Sequence, residues 1–295
     1  MINYCRPLID NVLTKSFVTG VLGLENKTEI SDAVRKITKA EMQLATIESK
    51  STFNSESYRD TSYADEFDRI ELRTEIFEEL IKNKRLDNDD EIKKGEGGAL
   101  PKTDLKAEKQ AVIITGPPAS GKSTIANKVA DSIGAIILDS DYAKRKFPEY
   151  VDEFGASLVH EESSAVVFGD EKNKVKYNVK EYCISEGYNV VIPKIGNERE
   201  SLLELANYFK KLGYSVHLIL VSLDRKDATI RAFNRFIKTN RYVPLSLIFD
   251  LYSNDSILTY YRTKNSGFFD SFAKVSTKEN SPILVEKSEK SPLKI

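Results

Sequence analysis

The stretch that decides the fold runs Ala111-Val-Ile-Ile-Thr115 and continues as Gly116-Pro-Pro-Ala-Ser-Gly-Lys-Ser-Thr124. Its first part is an apolar, β-branched run, which is typical of a buried strand. Its second part matches G-x-x-x-x-G-K-S, a pattern that opens a helix. A strand, a glycine-rich loop and a helix in that order form the context of a phosphate-binding P-loop. The stretch therefore predicts nucleotide binding.

Each residue type in this loop suits a phosphate. Gly116 and Gly121 let the backbone turn its N–H groups toward the ligand, and the positive end of the helix adds to that field. Lys122 would reach the β- and γ-phosphates, and the Ser123 hydroxyl would bind Mg²⁺. A glycine-rich turn that binds nothing is the alternative, which the flanking strand and helix disfavour. The loop residues predicted to bind ATP or GTP are Gly116, Pro117, Pro118, Ala119, Ser120, Gly121, Lys122, Ser123 and Thr124.

Composition narrows the class of protein. The chain has 295 residues, 40% hydrophobic and 30% charged, with a net charge of -1, which fits one sizeable core and a smaller domain. A charge near zero disfavours nucleic acid as a partner. Two cysteines exclude a disulfide framework and suit the cytoplasm, and two histidines are too few for a histidine metal site. Asp10 and Lys15 interrupt the first apolar run, so we expect neither a signal peptide nor a membrane span.

Residues 1–84 are predicted to form a small all-α domain. Apolar residues recur at helical spacing near 8–21, 31–48 and 64–84, and the third of these helices carries many acidic residues. Residues 85–109 lose this periodicity, contain Gly95, Gly97, Gly98 and Pro101, and are predicted to be a linker. Residues 110–280 form the predicted nucleotide-binding domain, and 281–295 a loose tail.

From residue 111 onward, strands are predicted to alternate with helices. The predicted strands are 111–115, 135–138, 188–192 and 214–221, and a helical stretch is expected around 158–186. Short connections between alternating strands and helices predict an α/β fold, with a parallel sheet covered by helices on both faces. Ligands of such sheets bind at the carboxyl ends of the strands, where the P-loop lies.

Two carboxylates follow the second predicted strand. Asp139 and Asp141 would lie beside the P-loop. One carboxylate there can accept the proton of a hydroxyl that attacks the γ-phosphate, and another can hold the metal. Asp141 is the predicted base and Asp139 the predicted metal-side residue. A turn-capping aspartate would explain either one alone, but it explains the pair less well.

Three arginines lie within eleven positions further along. Arg231 and Arg235 are spaced to share one helix face, and Arg241 follows in a short loop before Pro244. Arginines on a mobile segment above a P-loop neutralise charge that develops on a transferred phosphoryl group. The alternative is a solvated helix face. We predict that Arg231 binds the nucleotide and that Arg235 and Arg241 are catalytic.

Taken in order, these motifs resemble the zeta-toxin kinases. The set is G-x-x-x-x-G-K-S, then D-x-D-x-x-K, then R-x-x-x-R and R-x-V-P, over about residues 111–265. Members of that family phosphorylate a sugar hydroxyl of UDP-N-acetylglucosamine, and an antitoxin restrains them. The resemblance implies that Lys122 binds phosphate, that Asp141 is the base, and that Arg235 and Arg241 stabilise the transition state.

One segment departs from the family. Its sugar kinases usually show a Glu-Gly-Thr-type segment ending in Arg after the third strand, whereas this chain has Pro193-Lys194-Ile195-Gly196-Asn197. The acceptor is therefore open between a UDP-amino sugar, the ribose hydroxyl of NAD and another nucleotide or sugar. A housekeeping kinase and a non-catalytic nucleotide-binding switch are the further alternatives. The candidate acceptor contacts are Lys144, Glu161, Glu162, Ser164, Lys194 and Asn197.

The N-terminal helices suggest a regulatory partner within the same chain. If the linker is loose, residues 1–84 can fold back over the P-loop as an antitoxin in cis, and tethering raises their effective concentration. The acidic helix near 64–84 would then meet the lid arginines or Lys122. Completion of the fold, or binding of another partner such as an antitoxin in trans, is the competing explanation.

Overall fold

The structure, a computed structural model, describes residues 6–47, 50–152, 154–170, 175 and 177–294. Six strands form one sheet. They are β1 (Gln110–Thr115), β2 (Ala135–Ile137), β3 (Asn189–Lys194), β4 (Ser215–Ser222), β5 (Ser271–Ser276) and β6 (Ile283–Lys287). Their spatial order is β2-β3-β1-β4-β5-β6. The first five strands in this order run parallel, and β6 runs antiparallel to its neighbour β5.

The P-loop strand lies in the interior of the sheet. β1 pairs with β3 on one side and β4 on the other, and its residues Ala111 to Thr115 are buried. An apolar run that is buried on both faces is expected when helices cover both sides of a parallel sheet. The predicted α/β fold is therefore confirmed.

Twelve α-helices are described within these residues. The helices are α1 (Asn11–Gly20), α2 (Lys27–Ile47), α3 (Glu66–Lys82), α4 (Lys122–Ile133), α5 (Ser140–Lys144), α6 (Gly155–Leu158), α7 (His160–Phe168), α8 (Val179–Glu186), α9 (Arg199–Lys211), α10 (Arg225–Thr239), α11 (Leu245–Leu247) and α12 (Ser253–Thr263). A π-helical turn, Ile248–Tyr252, joins α11 to α12. No described helix is long and apolar enough to cross a membrane.

The single helical stretch predicted around 158–186 is divided in the structure. α7 ends at Phe168 because Gly169 follows with φ 81°, and α8 begins only at Val179. Residues 171–174 and 176, between them, lie outside the described part of the chain.

The last two strands were not predicted. β5 alternates buried and half-buried residues and contains Ser271, Lys274 and Ser276, so it lacks the apolar run of the interior strands. β6 extends into the segment predicted as a loose tail, and Leu293 beyond it is almost fully buried. An edge pair with one exposed face carries a weaker apolar signal than an interior strand.

The N-terminal helices do not form the separate three-helix bundle that the sequence pattern predicts. α1 and α2 pack in one apolar cluster with α10 and α11. α3 instead joins the main core beside the sheet, through Leu72, Ile76 and Leu80. The predicted apolar face of α3 is also shifted, since Phe67 is 77% exposed whereas Arg69 is fully buried. Periodicity alone cannot distinguish a buried arginine from an arginine on the solvent-exposed face of a helix.

The segment predicted as a linker is packed against the body of the protein. The N–H of Ala99 donates to Leu80 O, and the N–H of Ile137 in β2 donates to Ala99 O. The buried Lys146 ammonium donates to three backbone carbonyls of residues 93–97 and to Glu79. A glycine-rich stretch can present several carbonyls to one ammonium, which explains why this loop is ordered without being periodic.

Candidate active site

The P-loop turn requires glycine where β1 ends. Gly116 has φ 153°, and a Cβ there would lie 2.4 Å from the Val221 carbonyl oxygen of β4. Gly121, with φ 82°, caps the start of α4. The Gly116 N–H donates to Ile195 O at 3.1 Å, which ties the loop to the chain after β3. The loop is thus held by both strands that flank β1.

Lys122 lies folded over this loop. Its ammonium donates to Gly116 O at 2.8 Å and Pro117 O at 2.7 Å. Burial lowers the pKa of Lys122 to about 8, and the nearby positive charge of Arg235 acts in the same direction, whereas Asp139 and Asp141 oppose the shift. The lysine therefore lies among the other charged groups of the predicted site.

The remaining loop residues provide free polar atoms. Ser123 and Thr124 are exposed on the first turn of α4. Within the described residues, the buried Ser120 Oγ has no hydrogen-bond partner. Arg231, predicted to bind the nucleotide, instead donates to Thr277 O at 2.7 Å, and the Thr277 hydroxyl donates to Ser120 O at 2.7 Å. Arg231 thus supports the loop through the turn after β5.

The two aspartates after β2 have opposite environments. Asp139 caps α5 by accepting from the Asp141 N–H at 2.9 Å, and burial together with the Asp141 charge raises the pKa of Asp139 to about 6. Burial also acts to raise the pKa of Asp141, but Lys144 at 2.9 Å, Arg145 and Arg241 outweigh it and hold that pKa well below its usual range. Asp141 is therefore ionised at neutral pH, as a proton acceptor must be.

Arg235 and Arg241, the arginines predicted to cover the P-loop, lie close to Asp141. Arg241 follows Asn240, which caps the C-terminus of α10 with φ 55°, and Arg241 Nη2 lies 3.8 Å from Asp141 Oδ2. The Nε atom of Arg235 is buried and has no hydrogen-bond partner in the described structure. Burial and the positive charge of Arg241 lower the pKa of Arg235. Two crowded guanidinium groups with an unpaired donor suit a polyanionic ligand.

The predicted acceptor contacts divide into two groups. Lys144 pairs with Asp141, and Lys194 at the end of β3 lies 4.2 Å from the ring centre of Phe168. Ser164 is half-buried in α7. The backbone carbonyl of Asn197, after β3, accepts a hydrogen bond from the Thr259 hydroxyl at 3.2 Å. These four stay candidates.

Glu162, a predicted acceptor contact, is held in a buried cluster of ion pairs. It is fully buried and pairs with Arg69 at 2.7 Å and with Arg73 at 3.4 Å, so it supports packing between α7 and α3. Glu161 accepts from Ser51 at 2.7 Å and from Asn54, and so binds the chain between α2 and α3. Charge alone could not reveal that the partners of both residues lie in the N-terminal region.

Three further residues of the cleft were missed. Asp90 binds Arg241 and Arg145, and Arg145 donates to the Asp141 carbonyl at 3.0 Å. His160, the first residue of α7, has its pKa lowered by burial and by Lys144, with Asp141 opposing that shift. Arg145 directly follows the D-x-D-x-x-K motif, which was a usable signal. Nothing local in the sequence pointed to Asp90.

Comparison with known families and structures agrees with this geometry. The zeta toxin family model matches residues 99–280. The chain belongs to the zeta toxin family. The resemblance drawn from the ordered motifs is therefore confirmed.

Solved structures show the same fold. A structure of the PezAT chromosomal toxin-antitoxin system of Streptococcus pneumoniae matches this chain with a TM-score of 0.53 at 16% identity, over 79% of this chain and 85% of that one. The AvrRxo1-ORF1:AvrRxo1-ORF2 complex with sulphate ions matches with a TM-score of 0.45 at 16% identity, over 76% and 69% of the two chains, which is too slight to carry an argument. At these identities the likeness shows the fold alone.

One curated relative covers part of the chain. The pentafunctional AROM polypeptide of Kluyveromyces lactis is 30% identical over 128 residues, which is 41% of this chain but 8% of that protein. The match thus spans only a small part of the relative.

Proposed function

We propose that this zeta toxin transfers the γ-phosphate of ATP to a hydroxyl of a small molecule. The observation that carries the proposal is the convergence at one edge of the sheet of a P-loop lysine, an ionised aspartate and two lid arginines. Arg241 Nη2 lies 3.8 Å from Asp141 Oδ2, and the Asp141 charge acts on the pKa of both Lys122 and Arg235, which supports a single shared ligand. Phosphoryl transfer needs positioning and charge stabilisation rather than covalent catalysis, and these residue types supply both.

The reaction follows from these placements. The acceptor oxygen bonds to the γ-phosphorus, the bond from that phosphorus to the bridging β–γ oxygen breaks, and ADP leaves. Asp141 takes the hydroxyl proton because it is ionised and part of its surface faces the cleft. Arg235 and Arg241 neutralise charge on the transferred group, and Lys122 exchanges its two backbone carbonyl partners for phosphate oxygens.

The residues present also fit a magnesium ion. Ser123 and Asp139 offer a hydroxyl and a carboxylate, the hard oxygen ligands that Mg²⁺ takes alongside substrate phosphates. Among the described residues, no group of three or more His, Cys, Asp or Glu side chains could hold a metal ion. When bound, the ion would neutralise charge on the β- and γ-phosphates.

For the acceptor, we propose a hydroxyl of UDP-N-acetylglucosamine, with the ribose hydroxyl of NAD as the second candidate. The ammonium groups of Lys144 and Lys194 give the acceptor side positive charge, which supports an anionic acceptor. Both candidates carry a diphosphate. The segment after β3 lacks the carboxylate and arginine that the family's sugar kinases usually have there, which is why NAD is retained.

The test is transfer from γ-labelled ATP and Mg²⁺ to UDP-N-acetylglucosamine, to NAD and to nucleosides, with the wild-type chain and Lys122→Ala. We expect labelling of one diphosphate-containing acceptor, lost in the variant while its fold by circular dichroism is retained. Equal labelling by the variant would refute the role of Lys122. Tight ATP binding without transfer to any acceptor or to water would favour a nucleotide-binding switch.

A toxin role and an antitoxin partner belong to the same proposal. Expression of a toxin-like kinase should arrest growth in a manner that Lys122→Ala abolishes, whereas a housekeeping kinase should not arrest growth. The restraining partner is proposed to be a separate protein in trans or residues 1–84 in cis.

A further inference from the structure

A single carboxylate joins two arginines at the edge of the cleft. Asp90 Oδ1 accepts from Arg145 Nη2 at 2.8 Å and from Arg241 Nη1 at 2.9 Å. Both are charge-assisted hydrogen bonds of good length. Neither the P-loop nor the D-x-D motif contains Asp90, which lies in the segment between α3 and β1.

Arg145 connects this carboxylate to the proposed base. The Arg145 side chain is almost fully buried, and its Nη1 donates to the Asp141 carbonyl at 3.0 Å. Asp90 therefore links the lid arginine to the backbone of α5, which carries Asp141. Two ion pairs, Arg241–Asp90 and Asp90–Arg145, and one hydrogen bond from Arg145 to the Asp141 carbonyl thus connect Arg241 to Asp141.

The segment that carries Asp90 is itself fastened. Asn88 accepts from the Asp90 N–H at 3.1 Å, and Asn127 of α4 donates to Asp89 at 3.5 Å. Arg85 donates to Asp131 and to the Asn127 carbonyl, also on α4. These contacts hold the segment of Asp90 against α4, the helix that begins at Lys122.

The two ends of the Arg241 guanidinium have different surroundings. Nη1 is bound by Asp90, whereas Nη2 lies 3.8 Å from Asp141 Oδ2, outside hydrogen-bonding distance. A planar guanidinium with one nitrogen anchored presents its other nitrogen in a fixed direction. Here that direction is toward the carboxylate beside which the acceptor oxygen and the transferred phosphoryl group must meet.

We propose that Asp90 is a positioning residue for phosphoryl transfer, which holds Arg241 so that its second terminal nitrogen faces the reacting groups. This inference rests on the proposed function. Two other roles give different results. If Asp90 blocked Arg241 until ATP displaced it, removal of the carboxylate would raise activity. If Asp90 only balanced the charge of Arg145, its removal would affect stability alone.

The experiment compares Asp90→Asn with wild type in the full chain. The readout is transfer from MgATP to the acceptor found in the screen above or, where none is found, release of inorganic phosphate from MgATP. We expect kcat to fall about 10- to 100-fold with KM for ATP within about threefold, because an interaction of the transition state is lost while ground-state binding remains. Asp90→Glu should recover part of the loss.

Two comparisons separate positioning from a structural role. Asp87→Asn is the matched control, since Asp87 lies in the same segment, is 97% exposed and pairs with Lys102 away from the cleft. We expect it to match wild type. In an Arg241→Ala background, Asp90→Asn should cause no further loss of kcat, because residues that act through one another are non-additive.

Each remaining result overturns the inference. Unchanged kcat in Asp90→Asn, a lower KM for ATP with higher activity, or a full additional loss in the Arg241→Ala background would each contradict positioning. If Asp90→Asn does not fold, Asp90→Glu replaces it as the test, because it retains the charge but moves the carboxylate. A wild-type kcat in Asp90→Glu would then contradict the proposal. A wild-type chain without Lys122-dependent transfer overturns the proposed function and this inference together, whereas the other results leave the proposed function intact.

Discussion

Replacing Glu162 by Gln tests whether this residue is structural or contacts the acceptor. Glu162 accepts from Arg69 through both of its oxygens, at 2.9 and 2.7 Å, and from the Thr52 hydroxyl at 2.6 Å. Glutamine has the same shape but no charge, and its amide nitrogen would face a guanidinium donor. The substitution therefore removes one negative charge and directs two donors at each other in a fully buried site.

The magnitude follows from the partners that remain. Arg69 keeps Glu149 at 2.8 Å, and Arg73 keeps Glu66, so neither arginine becomes fully unpaired. Breaking a buried ion pair costs about 3–5 kcal/mol, and the surviving partners favour the lower end, about 3 kcal/mol. At roughly 2 °C or more per kcal/mol in a large domain, the melting temperature should fall by about 6 °C.

The assay is thermal unfolding together with KM for the acceptor, and the neighbouring residue supplies the control. Glu161→Gln, at an exposed position, should leave the melting temperature within about 1 °C because surface pairs contribute little. A Glu162→Gln variant of wild-type stability with a raised acceptor KM would refute the structural assignment and return Glu162 to the acceptor site.

Three other changes test the site and its support. Asp141→Asn should lower kcat by about 100-fold or more with near-normal ATP affinity by calorimetry, as loss of a general base does; equal turnover would exclude the base. Gly116→Ala should abolish measurable ATP binding, because its Cβ would lie 2.4 Å from Val221 O, and retained binding would contradict the geometry of the loop. A chain that begins near residue 105 should fail to fold, as judged by circular dichroism, because it lacks the core residues Leu72 and Ile76; a folded, more active product would support inhibition in cis instead.

Much of the site could be anticipated because its motifs are local. The P-loop, the D-x-D pair and the arginines of α10 are each defined within a dozen residues, and the alternation of strands and helices indicates where they meet. Asp90 is different, because its partners Arg145 and Arg241 lie 55 and 151 positions away. A single sequence contains no signal for such a pair. The ion pairs of Glu162 lacked a sequence signal for the same reason, since its partners Thr52 and Arg69 lie 110 and 93 positions away in the chain.

The N-terminal helices contact the loop that carries Arg241, but they are packed too firmly to act as a detachable inhibitor. α3 cannot leave the core without exposing its buried apolar residues, so it cannot act as a movable plug over the P-loop. α2 contacts the lid directly, because the Tyr242 hydroxyl donates to Glu41 at 2.5 Å and Tyr242 is the residue after Arg241. α1 and α2 also share an apolar cluster with α10. Any effect of α2 on catalysis should therefore act through the position of Arg241 rather than by occupying the nucleotide site.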